Sequence, residues 1–239
     1  MNLETAELVL GSETPSGDGV TGATRCVLML KSGERRAAVL KRIPRQAVLA
    51  EAFGALLLQA WGLTVPQPFL VPVDGAICFA SADAAYPSLK QRLGLVGLPE
   101  GPLANALALA AAIIVAGLPQ TPLALAADEA IDNRDRNLGN VLWDGAQEAW
   151  IDHELAFGLA THLAEDNKLA TMAAMAGMSD TVKKSAIAAW LAIDRATPEA
   201  VAIVANAPEF AKLVSARLVA LGVRVLNRFP APVDLLSGA

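Results

Sequence analysis

The sequence predicts an α+β fold of two lobes, a small strand-rich lobe followed by a larger helical one. Three observations predict it. Up to residue 80 the apolar residues fall in short runs bounded by Gly, Ser or charged residues, as strands do. Residues 80–90 are small and polar and include Pro87, which suits a connector. After residue 100 the apolar spacing becomes helical, apart from one hairpin at 141–151. The chain therefore divides into an N-lobe over 1–80, a hinge over 81–90 and a C-lobe over 91–239.

The elements follow in order. Strands are expected at Glu7 to Leu10, Arg25 to Leu30, Arg36 to Lys41 and Ala76 to Phe79, with Lys31-Ser-Gly-Glu34 as the turn between the second and third. Between the third and fourth, Gln46 to Gly62 carries Ala47, Val48, Phe53, Leu56, Leu57 and Trp61 at helical spacing. Gly62 caps that helix, and Pro66 and Pro68 prevent its continuation. Further helices are expected over 103–117, 122–132, 164–176, 180–193, 198–205 and 208–227, with Pro198 and Pro208 marking starts. Leu103 to Leu118 is uncharged, but it is shorter than the ~20 residues of a spanning helix. It reads as a helix buried on most faces, and no membrane partner is expected.

Composition narrows the function classes. The chain has 239 residues, is 54% hydrophobic and carries a net charge of −5, with no long basic run. That suits a folded domain and gives no basis for duplex nucleic-acid binding, which needs clustered Lys and Arg. Cys26 and Cys78 sit in strand-like runs and read as small buried thiols of a reducing compartment. With an acidic N-terminus lacking a signal-peptide pattern, the expected location is cytoplasmic.

The stretch from Asp132 to Glu154 holds the chemistry. It presents Asp135, Asn140 five residues on, and Asp152 twelve beyond that. Val141-Leu-Trp143 and Ala149-Trp-Ile151 read as strands joined by Asp144 to Glu148. A loop centred on Ala146 pairs 143 with 149, 142 with 150 and 141 with 151, and sets Asn140 opposite Asp152. Opposed residues have Cβ atoms ~4.5–5.5 Å apart, close enough for both side chains to reach one cation. A two-residue turn at Asp144-Gly145 would instead oppose Asn140 to Ala149, so the register matters. This is the layout of a kinase catalytic loop and metal-binding loop. An Asp accepts or orients the substrate hydroxyl, and an Asn and a second Asp hold magnesium on the nucleotide phosphates.

The first lobe offers the complementary groups. Lys41 ends the third strand, where it can face a cleft and pair with phosphates, and Glu51 in the following helix is the carboxylate that would hold it. Gly17-Asp-Gly19-Val-Thr-Gly22 matches G-x-G-x-x-G between two strands. That placement suits a flap over ATP phosphates rather than a dinucleotide fold, and Thr14, Ser16 and Thr21 lie in it as candidate phosphate contacts. His153 and His162, the two histidines, lack the cysteine pair of a zinc site and a Gly-x-Ser-x-Gly elbow. Trp61, Trp143, Trp150 and Trp190 read as core or cleft-wall residues.

On Asn133-x-Asp135-Arg136-x-x-x-Asn140, Trp150-Ile-Asp152-His153 and Leu155-Ala-Phe157, the chain resembles the HipA-like kinases, atypical bacterial relatives of the protein and phosphatidylinositol kinases. Ala50-Glu51 through Val65-Pro-Gln-Pro68-Phe-Leu-Val71 resembles that family's helix and the strand entering its hinge. The resemblance spans roughly residues 5–160. It implies a two-lobed protein-kinase-like fold, ATP and magnesium in the interlobe cleft, and transfer of the γ-phosphate to a Ser or Thr hydroxyl of a protein substrate. By carry-over Asp135 is the catalytic base, Asn140 and Asp152 are the metal ligands, and Lys41 is the phosphate-binding lysine.

One position departs from the pattern. Two residues after the catalytic Asp these atypical kinases usually carry His and ordinary protein kinases carry Lys, whereas this chain carries Asn137. A group that would offset the charge of the transferring phosphoryl is replaced by a neutral one that can still donate hydrogen bonds. A catalytically weak pseudokinase that binds nucleotide is one alternative. Another is a small-molecule kinase of the aminoglycoside or choline type, with Glu165, Asp166 and Asp180 as an acidic substrate pocket.

Overall fold

The structure, a computed structural model, describes residues 3–16 and 22–229. Its first part is built on β-strands β1 (Glu4–Thr5), β2 (Glu7–Leu8), β3 (Thr14–Pro15), β4 (Thr24–Met29), β5 (Arg35–Lys41), β6 (Pro68–Val73) and β7 (Ala76–Ala82). They form one sheet in the order β1-β6-β7-β5-β4-β2, with β3 pairing β4. β1 runs parallel to β6, and the other pairs are antiparallel.

The alternation of a strand decides what faces the cleft. Along β5, Ala38 and Leu40 are buried against Cys26, Leu28, Phe69 and Ala80. Val39 and Lys41 therefore lie on the opposite face, opposite Ser81 and Phe79 of β7, and all four line a common cavity. Helix α1 (Arg45–Ala60) crosses between β5 and β6. It buries Phe53, Leu57 and Leu58 with the later helices, and Val48 and Ala52 against Phe79. Phe53 meets Phe157 edge-on at 5.2 Å, and Phe157 stacks on Phe210 at 4.7 Å. These aromatic contacts fasten α1 to the second part of the chain.

That part holds α2 (Leu89–Arg92), α3 (Pro102–Gly117), α4 (Thr121–Ile131), a 3-10 turn (Leu138–Asn140), β8 (Val141–Trp143), β9 (Glu148–Trp150), α5 (Lys168–Met175), α6 (Ser179–Ala192), α7 (Thr197–Ala205), α8 (Pro208–Val219) and α9 (Leu221–Asn227). The connecting residues are pinned at two points. Ser88 forms a capping box with Gln91 at the start of α2, and the Trp143 amide donates to the Pro87 carbonyl at 3.0 Å.

Several expectations are corrected here. The β8–β9 hairpin pairs Val141 with Trp150, Leu142 with Ala149 and Trp143 with Glu148, one residue away from the expected register. The loop is four residues long because Asp144 Oδ1 accepts from the amides of both Ala146 and Gln147, at 2.7 Å each. Glu148, expected in the loop, is instead a buried strand residue whose carboxylate accepts from the Gln120 amide. The helix expected over 208–227 breaks at Ala220, and the one expected from 164 begins at Lys168. β6 carries two prolines and no strand-like bounding, which hid it from everything except the family resemblance.

Helix α3 is more exposed than expected. Ala111, Ala112, Val115 and Ala116 are buried, while Leu103, Leu109 and Ile113 are exposed. Among the described residues no single helix is long and apolar enough to cross a membrane, and α3 and α4 meet at a 92° bend. Cys26 and Cys78 are buried and unpaired, and burial pushes the Cys26 thiol up to about 11.

Candidate active site

A cleft of about 1250 Å³ opens between the sheet and the helices. Val39, Lys41, Phe79 and Ser81 line one wall, and Asp135, Asn137, Asn140 and Asp152 line the other.

Lys41 is the electrostatic centre of the sheet side. Its ammonium lies 2.6 Å from Glu51, 2.8 Å from Asp152 and 3.4 Å from Glu154. The expected Lys41–Glu51 ion pair is thus present, and α1 supplies the carboxylate from a position only 1% exposed. Burial works against the ammonium, but the three carboxylates outweigh it and hold the Lys41 pKa above the ordinary lysine range. Burial likewise works against the Glu51 carboxylate, and Lys41 with the His153 side chain, whose Nδ1 lies 3.3 Å from Glu51 Oε2, outweighs it, so its pKa falls below the usual value. Glu154 goes the other way, raised mainly by burial and by the neighbouring carboxylates despite Lys41. Oxygens of Glu51, Asp152 and Glu154 lie within 4.8 Å of one another, but Lys41 occupies their centre, so they form a lysine site rather than a metal cage.

His153 has a packing role. It is 1% exposed, and its amide donates to Glu51 Oε2 at 2.9 Å. Its ring lies so close to α1 that a Cβ on Gly54 would sit 2.7 Å from His153 Cβ. Only glycine permits that approach.

The helix side is organised by Arg136. It is buried, and its guanidinium donates to both carboxylate oxygens of Asp128, at 2.9 and 3.0 Å. It also donates to the carbonyls of Ile151 (2.5 Å) and Asn140 (3.3 Å), and lies 5.7 Å from the Trp150 ring centre. One side chain therefore ties the loop from Asp132 to Asn140 to the end of β9.

The shifted register changes how Asn140 and Asp152 come to share this wall. Asn140 faces Ile151 across the strands, whose amide donates to the Asn140 carbonyl at 3.2 Å. Asp152 follows in the left-handed region, φ 69°, and that turn aims its carboxylate at the cleft. The Asn140 amide nitrogen donates to the Asp135 carbonyl at 2.8 Å, which leaves its oxygen as the end for a cation. Asn140 and Asp152 are hard oxygen donors on one cleft wall, a set that fits magnesium.

Asn137 does not point outward. Its oxygen accepts from the Gly139 amide at 2.8 Å, capping the 3-10 turn, and its nitrogen reaches back to Asp135 at 3.3 and 3.4 Å. The cation beside Asp135 comes from elsewhere. Lys168, the first residue of α5, places its ammonium 2.8 Å from Asp135 Oδ1. Sequence reasoning missed it, as it missed Glu154, because Lys168 lies 33 residues from Asp135 and no local spacing links them.

Of the glycine-loop residues, Gly17, Gly19 and Thr21 lie outside the described residues. Gly22 has φ 67°, and Ser16 and Ala23 beside the gap line the cleft. Of the three acids considered for a small-molecule substrate, Asp166 lines the cleft, whereas Glu165 pairs with Arg224 at 2.6 Å and Asp180 with Lys183 on the surface at 2.9 Å.

No protein-family model matches the sequence, and no curated protein sequence does. Solved structures do match. The Helicobacter pylori proinflammatory kinase CtkA is 14% identical with a TM-score of 0.61, over 93% of this chain and 99% of that one. The toxin–antitoxin complex of Shewanella oneidensis HipA with HipB and operator DNA matches at 12% identity and a TM-score of 0.57, over 94% of this chain and 69% of that one. The likeness extends beyond residue 160 into the C-terminal helices, further than the sequence motifs reach. At these identities it establishes one thing: this chain has the kinase-like fold of CtkA and HipA.

Proposed function

We propose that this chain is a HipA-like, Mg-ATP-dependent kinase that transfers the γ-phosphate of ATP to a Ser or Thr hydroxyl of a protein. Residues 1–80 would be its N-lobe, 81–90 its hinge and 91–239 its C-lobe. The observation that carries the reading is Lys41. Its ammonium is held by Glu51 on one side and reaches Asp152 on the other, in a cleft that also holds Asp135 and Asn140. A lysine clamped in that way is pre-set for phosphate oxygens.

In this reading Lys41 pairs with the nucleotide phosphates and Glu51 holds it in place. Gly17, Gly19 and Gly22 would let the backbone approach the phosphates closely. Asp135 orients the acceptor hydroxyl and takes its proton. Asn140 and Asp152 would hold magnesium, which when bound offsets phosphate charge. The buried, unpaired thiols fit a reducing cytoplasm.

A second reading, a nucleotide-binding pseudokinase, is favoured by one observation: the Asn137 side chain is committed to its own loop. A thermal-shift titration tests what both readings share. Mg-ATP is expected to raise the melting temperature of the wild type, and Asp152→Ala to abolish the rise. No Mg-ATP effect on the wild type, or the same rise in the variant, would overturn the assignment.

A further inference from the structure

We infer that Lys168 takes the place of the cation missing at position 137 and contacts the phosphoryl group during transfer. The inference rests on the kinase reading and names a catalytic residue within it. It starts from a physical need. The step joins the acceptor hydroxyl oxygen to the γ-phosphorus and breaks the bond from that phosphorus to the β–γ bridging oxygen. ADP leaves with the bond's electron pair, and the hydroxyl proton passes to Asp135. Charge is spread over the three equatorial oxygens of the group in flight, and a preorganised cation beside them is among the larger contributions a protein can make. Asn137 carries no charge, and both ends of its amide are engaged within its own loop.

Lys168 answers that need on three grounds. Its ammonium is 2.8 Å from Asp135 Oδ1, so it lies where the acceptor oxygen and the phosphorus must meet. An ammonium has three donors, and among the described residues Asp135 is its one charged partner, which leaves donors for a phosphoryl oxygen without breaking the contact. Its position is also built rather than incidental. Asn167 is 3% exposed and caps α5 by accepting from the amides of Leu169 and Ala170. Its nitrogen donates to the Leu125 carbonyl and to Glu129, each at 3.2 Å. The first turn of α5 is thereby bolted to α4, and Lys168 projects from the bolt into the cleft.

The test measures kcat, KM for ATP, and equilibrium affinity for Mg-ADP with and without aluminium fluoride, a mimic of the phosphoryl in flight. Lys168→Ala is expected to lower kcat about 100- to 1,000-fold, with KM for ATP within about threefold of wild type. Its affinity for the Mg-ADP–aluminium fluoride complex should fall in parallel, while affinity for Mg-ADP alone stays within twofold. Lys168→Arg should regain much of both, and Asn137→His in the Lys168→Ala background should restore part of the rate. Lys168 is partly exposed, so the variants are expected to melt like wild type. A wild type that transfers phosphate alongside a Lys168→Ala variant with unchanged kcat and aluminium fluoride affinity would overturn the inference alone. A wild type that neither binds Mg-ATP nor transfers phosphate would overturn the kinase reading and this inference with it.

Discussion

Asp128→Ala is the most informative perturbation of the scaffold beneath the site. Asp128 is 2% exposed and Arg136 is 1% exposed, so neither charge is hydrated. The substitution removes the two carboxylate acceptors of the Arg136 guanidinium, at 2.9 and 3.0 Å, and the acceptor of the Asn133 side chain, at 3.0 Å. What is left is a buried cation facing two carbonyls, and breaking such a pair from one side costs about 3–5 kcal/mol. For a domain of this size that corresponds to a fall in melting temperature of roughly 6–20 °C. Urea unfolding followed by tryptophan fluorescence is the assay, since Trp150 lies 5.7 Å from the Arg136 guanidinium. Asp128→Asn, which keeps the shape and one acceptor, should cost less than alanine. Because Arg136 also holds the carbonyls of Asn140 and Ile151, Mg-ATP binding should weaken along with stability. A loss below about 1 kcal/mol for Asp128→Ala would refute the view that this pair is an unhydrated clamp.

Two further outcomes follow from the same geometry. Gly54→Ala in α1 would gain about 1 kcal/mol on helix propensity alone, yet it should destabilise, because the new Cβ would stand 2.7 Å from His153 Cβ; thermal denaturation decides the sign. Glu154→Gln should raise the melting temperature near neutral pH. The raised Glu154 pKa means that its charged form opposes folding once pH rises through the folded-state value, and the gain should vanish below about pH 4.5, where both states are protonated. A melting-temperature series across pH checks both halves of that statement.

The sequence was most legible where chemistry and local pattern coincide. Lys41 at a strand end and Glu51 on the next helix formed their ion pair because period-2 and helical spacing aim both at one cleft. The hairpin was half legible. Its two strands were visible, but the register turned on Asp144, whose carboxylate tightens the loop by one residue through bonds that spacing alone does not encode. The consequence for Asp152 was also hidden, since only its left-handed backbone brings it to the cleft. Lys168 was out of reach because Asn167 and Glu129 fix it through contacts spanning tens of residues. The helix break at Ala220 had no marker, as neither Pro nor Gly stands at that position.

Transfer of labelled phosphate from ATP, comparing the wild type with Asp135→Ala in the presence of lysate proteins, tests the central claim most directly. The account predicts magnesium-dependent labelling of a protein hydroxyl by the wild type and its loss in the variant, with both proteins folded. Equal labelling by the two, or a wild type that binds Mg-ATP and labels nothing, would contradict it.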